Sequence, residues 1–164
     1  MSTKPKIYIA SPLGFSEIGR DFMYGKIIPI IEEIGFEILD TWKLTPDEIL
    51  EKAIKMPYGK EKRDKWQELN KIIGKNNIEA IKSCSCIFAI LDGSDVDSGT
   101  ASEIGYACAL GKPILGYRND FRLSADNEGS TINLQVEYFI RKSGGKIIKE
   151  IKYLKEELKT LFKT

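Results

Sequence analysis

Short apolar runs alternate along the chain with longer stretches in which hydrophobic residues recur every three or four positions, the pattern of strands alternating with helices. Lys6-Ile-Tyr-Ile-Ala10 is the first run and opens straight into the turn Ser11-Pro-Leu-Gly14. From Ser16 to Ile34, the positions Ile18, Phe22, Met23, Ile27, Ile30, Ile31 and Ile34 predict an amphipathic helix. Pro29 lies inside it, so a bend or break is expected near Lys26. Gly35 ends that helix, and Phe36-Glu-Ile-Leu39 is the second strand. Residues 41–64 are the least regular, with a helix start at Thr45-Pro-Asp-Glu48 and a turn at Met56-Pro-Tyr-Gly59. A helix is expected over Asp64 to Ser83, with Trp66, Leu69, Ile72 or Ile73, Ile78 and Ile81 on one side.

Cys86-Ile-Phe-Ala-Ile-Leu91 and Ile114-Leu-Gly-Tyr117 are two further buried strands. Between them, Ala101, Ile104, Ala107 or Cys108 and Gly111 follow helical spacing, and Gly111-Lys-Pro113 is a helix stop. The polar stretch after Tyr117 reads as a loop that could close over a site, with Arg118 and Arg122 expected in surface salt bridges. Asn133-Leu-Gln-Val-Glu137 begins another helix. The tail from Gly145 to Phe162 places Ile147 or Ile148, Ile151, Leu154, Leu158 and Leu161 on one face and is expected as a single amphipathic helix. The whole predicts one α/β domain over residues 1–164, doubly wound, with about five mostly parallel strands and helices on both faces, flavodoxin-like or Rossmann-like.

Charge narrows the range of partners. The 25 basic and 24 acidic residues leave a net charge of +1, which gives no electrostatic reason to expect nucleic-acid binding. A small neutral or weakly charged molecule is the expected partner. No apolar stretch is long enough to span a membrane, and the start Met1-Ser-Thr-Lys-Pro-Lys6 lacks the apolar core of a signal peptide, so a cytoplasmic protein is expected. The three cysteines, with Cys84-Ser-Cys86 close together, make neither a disulfide framework nor a paired metal motif, and there is no histidine. They are expected as buried, reduced thiols, with no metal and no cofactor.

The candidate chemistry lies in the loop Asp92-Gly-Ser-Asp-Val-Asp97 and the helix after it. Such a loop stands at the carboxyl end of its strand, where open α/β sheets bind ligands. Glu103 is expected in the first helical turn, where free backbone N–H groups and the helix dipole favour the ionised carboxylate, a competent nucleophile. A competing reading is structural: Thr100-Ala-Ser-Glu103 fits a capping box, with the glutamate merely turned back to the Thr100 N–H. Against it stands the crowding of Asp92, Asp95, Asp97 and Glu103 in one loop, because clustered like charges mark functional sites.

The run Asp97-Ser-Gly-Thr-Ala-Ser-Glu-Ile-Gly-Tyr-Ala-Cys-Ala-Leu-Gly-Lys112 resembles the signature of nucleoside 2-deoxyribosyltransferases. The resemblance extends to Ile7-Tyr-Ile-Ala10, to Asn76-Asn-Ile-Glu-Ala-Ile-Lys82 and to Asn133-Leu-Gln-Val-Glu137, covering roughly residues 6–140. It implies transfer of 2-deoxyribose between bases through a covalent deoxyribosyl-glutamate at Glu103, with side hydrolysis. Tyr8 would hold that glutamate through its hydroxyl. Asp97, with Ser98 and Gly99, would bind the sugar.

Asn133 would reach the sugar 5′-hydroxyl of a neighbouring subunit's site, which makes a homodimer or higher assembly the expected unit. Its competing reading is a plain helix N-cap. Phe15 and Trp42 could stack on the base, although Phe15 could equally staple the next helix and Trp42 could mark a subunit contact. The family usually carries an acid where this chain has Asn77, which can hydrogen-bond a base but cannot protonate it. Asp92 is the substitute candidate for the general acid, against an Asx-turn role beside Gly93.

Two other functions fit the same residues. A 2′-deoxynucleoside 5′-phosphate N-hydrolase would share the nucleophile, but such enzymes resemble the transferases with serines where this chain has Asp97 and Asn133, and a carboxylate repels a phosphate dianion. A nucleoside-binding sensor without turnover would use the same fold and have no need of a bare carboxylate at C1′.

Overall fold

A computed structural model describes residues 4–162; the ends of the expected 1–164 span, including Met1–Thr3 of the start discussed above, lie outside the described residues. Its centre is one parallel sheet of strands β1 (Lys6–Ala10), β2 (Glu37–Asp40), β3 (Cys86–Ile90), β4 (Ile114–Tyr117) and β5 (Ile147–Ile148). The order is β2-β1-β3-β4-β5, with every pairing parallel, which is the flavodoxin-like doubly wound arrangement. Strand order reverses between β1 and β3. The crevice at their carboxyl ends is where such sheets bind ligands.

Alternation along each strand builds two apolar layers. Tyr8, Ala10, Ile87, Ala89 and Ile114 pack with Ala80 and Ile81 of α4 (Lys60–Ser83), Ile104 and Ala107 of α5 (Ser98–Ala109), and Val136 and Ile140 of α6 (Leu134–Lys142). On the other face, Ile7, Ile9, Phe88, Ile90 and Leu115 meet Met23, Ile27 and Ile31, with Leu154 and Leu158 of α7 (Leu154–Phe162). Each fully buried isoleucine or leucine contributes about 1.5–3 kcal/mol, so these layers, not helix propensity, fix the sheet's position.

The first helical stretch runs as α1 (Glu17–Phe22), a π-helical turn (Met23–Ile27) and α2 (Ile28–Glu33). The Ile28 N–H donates to the Met23 carbonyl, a wider step that falls where Pro29 was expected to bend the helix. Ile18, expected on the inner face, is exposed, as are Ile72 and Ile78 of α4. The insertion after β2 carries α3 (Asp47–Ile54), and α4 begins at Lys60, four residues before its expected start. All three cysteines are free; Cys84 and Cys86 are buried and Cys108 is half-buried.

The tail departs from the sequence expectation. Ile147 and Ile148 are not helical; they form the edge strand beside Gly116 and Tyr117, and the helix starts only at Leu154. A Cβ at Gly145 would lie 1.7 Å from the Ile114 carbonyl oxygen, so glycine is what lets the chain come close enough to β4 to pair with it.

Candidate active site

Tyr8 is the middle residue of β1 and wholly buried, and its hydroxyl points to the layer that α4 and α5 cover. There it donates to Glu103 Oε1 of α5 at 2.7 Å. Asn77 of α4 approaches the same oxygen with Nδ2 at 3.5 Å. Strand, acidic-loop helix and long helix thus converge on one carboxylate. Asn77 Oδ1 is buried and accepts no hydrogen bond among the described residues, and none engages Glu103 Oε2 there either. The group therefore presents one held oxygen and one unheld oxygen, beside an amide acceptor that wants a donor.

Burial pushes the Glu103 carboxyl up from 4.5 to about 7; the Tyr8 hydrogen bond pulls it down and the nearby Asp97 charge pushes it up. Two sequence expectations are corrected here. Asp97, not Thr100, caps α5: its Oδ2 accepts from the Thr100 N–H at 2.9 Å and from the Thr100 hydroxyl at 3.3 Å. Glu103 consequently sits in the second helical turn, closes no capping box and faces Tyr8 instead. At that depth desolvation outweighs any help from the helix N-terminus. Burial and the adjacent Glu103 together push the Tyr8 hydroxyl upward, so it remains a donor.

Ser98 and Gly99 form the exposed opening turn of α5 beside Asp97. Asp92 does different work from the one expected of it. Its Oδ1 accepts from the Asn119 N–H at 2.6 Å and the Asp120 N–H at 2.8 Å, tying the end of β3 to the loop after β4. Among the described residues it accepts no Asx-turn bond beside Gly93. Arg118 answers from the other side, donating to the carbonyls of Leu91, Gly93 and Arg122. It is buried and forms no salt bridge among the described residues, which corrects the surface salt bridge expected of it; Arg122 does pair with Asp120.

Asn133 is the N-cap of α6, its Oδ1 accepting from the Gln135 N–H at 3.1 Å and the Val136 N–H at 3.3 Å. Its amide nitrogen carries no bond among the described residues. Leu134 and Tyr138 of the same helix are exposed.

The sequence profile of the nucleoside 2-deoxyribosyltransferases matches residues 7–135, a span that holds Tyr8, Asn77, Asp97, Glu103 and Asn133. The chain belongs to the nucleoside 2-deoxyribosyltransferase family. Solved structures share the fold of this family member over nearly its whole length. A conserved protein from Enterococcus faecalis V583 is 24% identical with a TM-score of 0.66, covering 96% of this chain and 99% of its own. A 2-deoxyribosyltransferase from Bacillus psychrosaccharolyticus is 23% identical with a TM-score of 0.65, covering 95% of both chains. A CMP N-glycosidase from Clostridium botulinum is 22% identical with a TM-score of 0.56, covering 95% of this chain and 98% of its own. No curated protein sequence matches the chain.

In this family member the two aromatic candidates meet. Phe15 packs edge-on against Trp42 with ring centroids 4.6 Å apart, and Trp42 Nε1 donates to the Ser11 carbonyl at 3.1 Å, just past the end of β1. A Cβ on Gly14 would fall 2.1 Å from the indole, so the turn after β1 lies directly against that ring. Tyr58 stands apart from them, in an open cleft with Trp66 and Arg63. Among the described residues, no group of three or more His, Cys, Asp or Glu side chains is arranged to hold a metal ion, and no helix is long and apolar enough to cross a membrane. Sequence reasoning missed the roles of buried Arg118 and Asp40 and of half-buried Asn76, because each binds backbone or side chains far away in the chain.

Proposed function

We propose that the protein exchanges the base of a 2′-deoxynucleoside through a covalent ester between C1′ and Glu103. The observation that carries this reading is the pair of contacts on Glu103 Oε1, from the Tyr8 hydroxyl at 2.7 Å and from Asn77 at 3.5 Å, which leaves Oε2 to face a reacting carbon. Glu103 Oε2 attacks C1′, the bond from C1′ to the base nitrogen breaks, and its electron pair leaves with the base. Positive charge developing at C1′ is stabilised by the carboxylate and then trapped by it. A 2′-hydroxyl would oppose that charge, so deoxyribose is the sugar.

Asn77 supports the departing base by hydrogen bonding and supplies no proton; the base takes its proton from solvent. In the second half the incoming base nitrogen forms a bond to C1′ and Glu103 leaves, whereas attack by water instead gives hydrolysis. Asp97 takes the sugar 5′-hydroxyl on the oxygen not used for capping, and Phe15 and Trp42 flank the base. The assembled enzyme is a homo-oligomer in the cytoplasm, with Asn133 offering its amide N–H to a neighbour's sugar; exposed Leu134 and Tyr138 support such a contact.

Intact-mass spectrometry after mixing with deoxyadenosine tests the covalent step. One deoxyribosyl adduct is expected, absent in Glu103→Ala; binding with neither adduct nor released base would make the protein a sensor. Mixing inactive Glu103→Ala and Asn133→Ala chains tests the shared site. Hybrids that demonstrably form yet stay inactive would remove Asn133 from the neighbour's pocket.

A further inference from the structure

Asp40, the last residue of β2, is buried and accepts at both oxygens. Oδ2 takes the Tyr24 hydroxyl at 2.8 Å and Oδ1 the Trp42 backbone N–H at 3.0 Å. Tyr24 lies in the π-helical turn, so the wider helical step next to Pro29 places this hydroxyl. Burial and the neighbouring Asp40 push the Tyr24 hydroxyl up, keeping it a donor, and Lys43 Nζ sits 4.3 Å from the centre of its ring. From Trp42 the chain of contacts continues through Nε1 to the Ser11 carbonyl. The other end of the loop is held by Asn76, whose Nδ2 donates to the Leu44 carbonyl at 3.2 Å and Thr45 Oγ1 at 3.1 Å. Asn76 directly precedes Asn77, which approaches Glu103. The loop that carries the indole is thereby held at three points, the Trp42 N–H on Asp40, the indole Nε1 on Ser11, and Leu44 and Thr45 on Asn76 of the helix that also carries the group beside the nucleophile.

We propose that Tyr24 and Asp40 are positioning residues that hold Trp42 as the wall of the base subsite and so set affinity for the free base. This rests on the reading above that a nucleobase lies beside Glu103. The bond from the Trp42 N–H to Asp40 two residues before it is an Asx turn, and the second Asp40 oxygen couples that turn to Tyr24 of the π-helical segment. The second tryptophan, Trp66, lies in the separate open cleft with Tyr58 and Arg63.

Trp66→Phe leaves Trp42 as the one tryptophan, whose emission is read with excitation selective for indole, and adenine or thymine alone is the probe. Quenching of Trp42 by free base is expected in this parent. Tyr24→Phe and Asp40→Asn in that background are expected to bind the base about two- to ten-fold more weakly, the range for losing one hydrogen bond, while kcat for hydrolysis without acceptor base stays within about two-fold. Two variants that bind base as the parent does overturn the proposal, and so does a parent that no base quenches, even if it is catalytically active. Quenching in a parent that cleaves no deoxynucleoside would leave Trp42 as a base wall and remove the transferase reading instead.

Discussion

The Tyr8 hydroxyl and the Glu103 carboxylate meet at 2.7 Å although 95 positions separate them in the chain. One residue comes from the sheet's interior and the other from the second turn of α5, so the hydrogen bond forms only once β1 and β3 pair and α5 packs on them. Opposed influences act on the carboxyl: burial and the nearby Asp97 charge raise it, Tyr8 lowers it, and the balance lies at about 7. In the proposed reaction the ionised form attacks, so kcat/KM for deoxynucleoside cleavage is expected to rise with pH and level off above about 7. Tyr8→Phe removes the lowering influence and the geometric hold, so the rising limb should move to higher pH. The plateau should fall about 10- to 100-fold, the value of one hydrogen bond to a charged group. A pH–rate profile of both proteins checks this; an unmoved limb in Tyr8→Phe would contradict it.

The same burial has a stability consequence. The folded carboxyl titrates at about 7, above its ordinary 4.5, so the fold binds that proton more tightly than the unfolded chain does. Below the ordinary value both states are protonated and the preference is fully present. As pH rises through about 7 the folded state must ionise a buried group and stability is lost. Glu103→Gln should therefore be inactive yet more stable than the parent at pH 8, by about 2–3 kcal/mol, with the gap closing towards pH 4. Urea unfolding at the two pH values measures it. Equal stability at pH 8 would show that the carboxylate is solvated.

Residues read locally were legible, and residues defined by distant partners were not. The runs at 6–10, 86–91 and 114–117 are strands because a buried parallel strand needs continuous β-branched and apolar residues, which any window of the chain displays. Ile147 and Ile148 fit helical spacing equally well; their strand follows from Gly145 lying against the Ile114 carbonyl, a contact no local window contains. Glu103 lies one turn later than its sequence suggests because both Asp97 and Thr100 are acceptable caps, and only the fold decides between them. Arg118 read as a surface cation since arginine usually is one. Three carbonyls from residues 91, 93 and 122 bury it.

Asp92 and Arg118 form a reciprocal latch between the loop that leads to α5 and the loop that leads to α6. Asp92→Asn keeps an acceptor oxygen, so near-parental stability and an unchanged pH–rate profile are expected. A general acid at that position would instead lose its limb of the profile. Arg118→Met strips the donors from three carbonyls and should destabilise the fold by about 2–4 kcal/mol. Hydrogen exchange over residues 91–97 and 118–122 should then quicken together. Exchange confined to one loop would mean that the two are not coupled.

Asp97 combines two tasks that substitution can separate. One oxygen caps α5 through Thr100, and loss of an N-cap costs about 1 kcal/mol. The other oxygen is the proposed acceptor for the sugar 5′-hydroxyl. Serine caps a helix nearly as well as aspartate but brings no charge, so Asp97→Ser should unfold at close to the parental urea concentration, whereas Asp97→Ala should be weaker by about 1 kcal/mol. The two should share a catalytic change. Without the carboxylate, activity on deoxyadenosine should fall about ten-fold or more, the value of a hydrogen bond to a charged group. The penalty against deoxyadenosine 5′-monophosphate should fall too, since the dianion no longer faces a like charge. Comparing kcat/KM for nucleoside and monophosphate in the three proteins decides the matter: an unchanged ratio would show that Asp97 serves the helix alone, and a parent that already prefers the monophosphate would make the protein a nucleotide hydrolase.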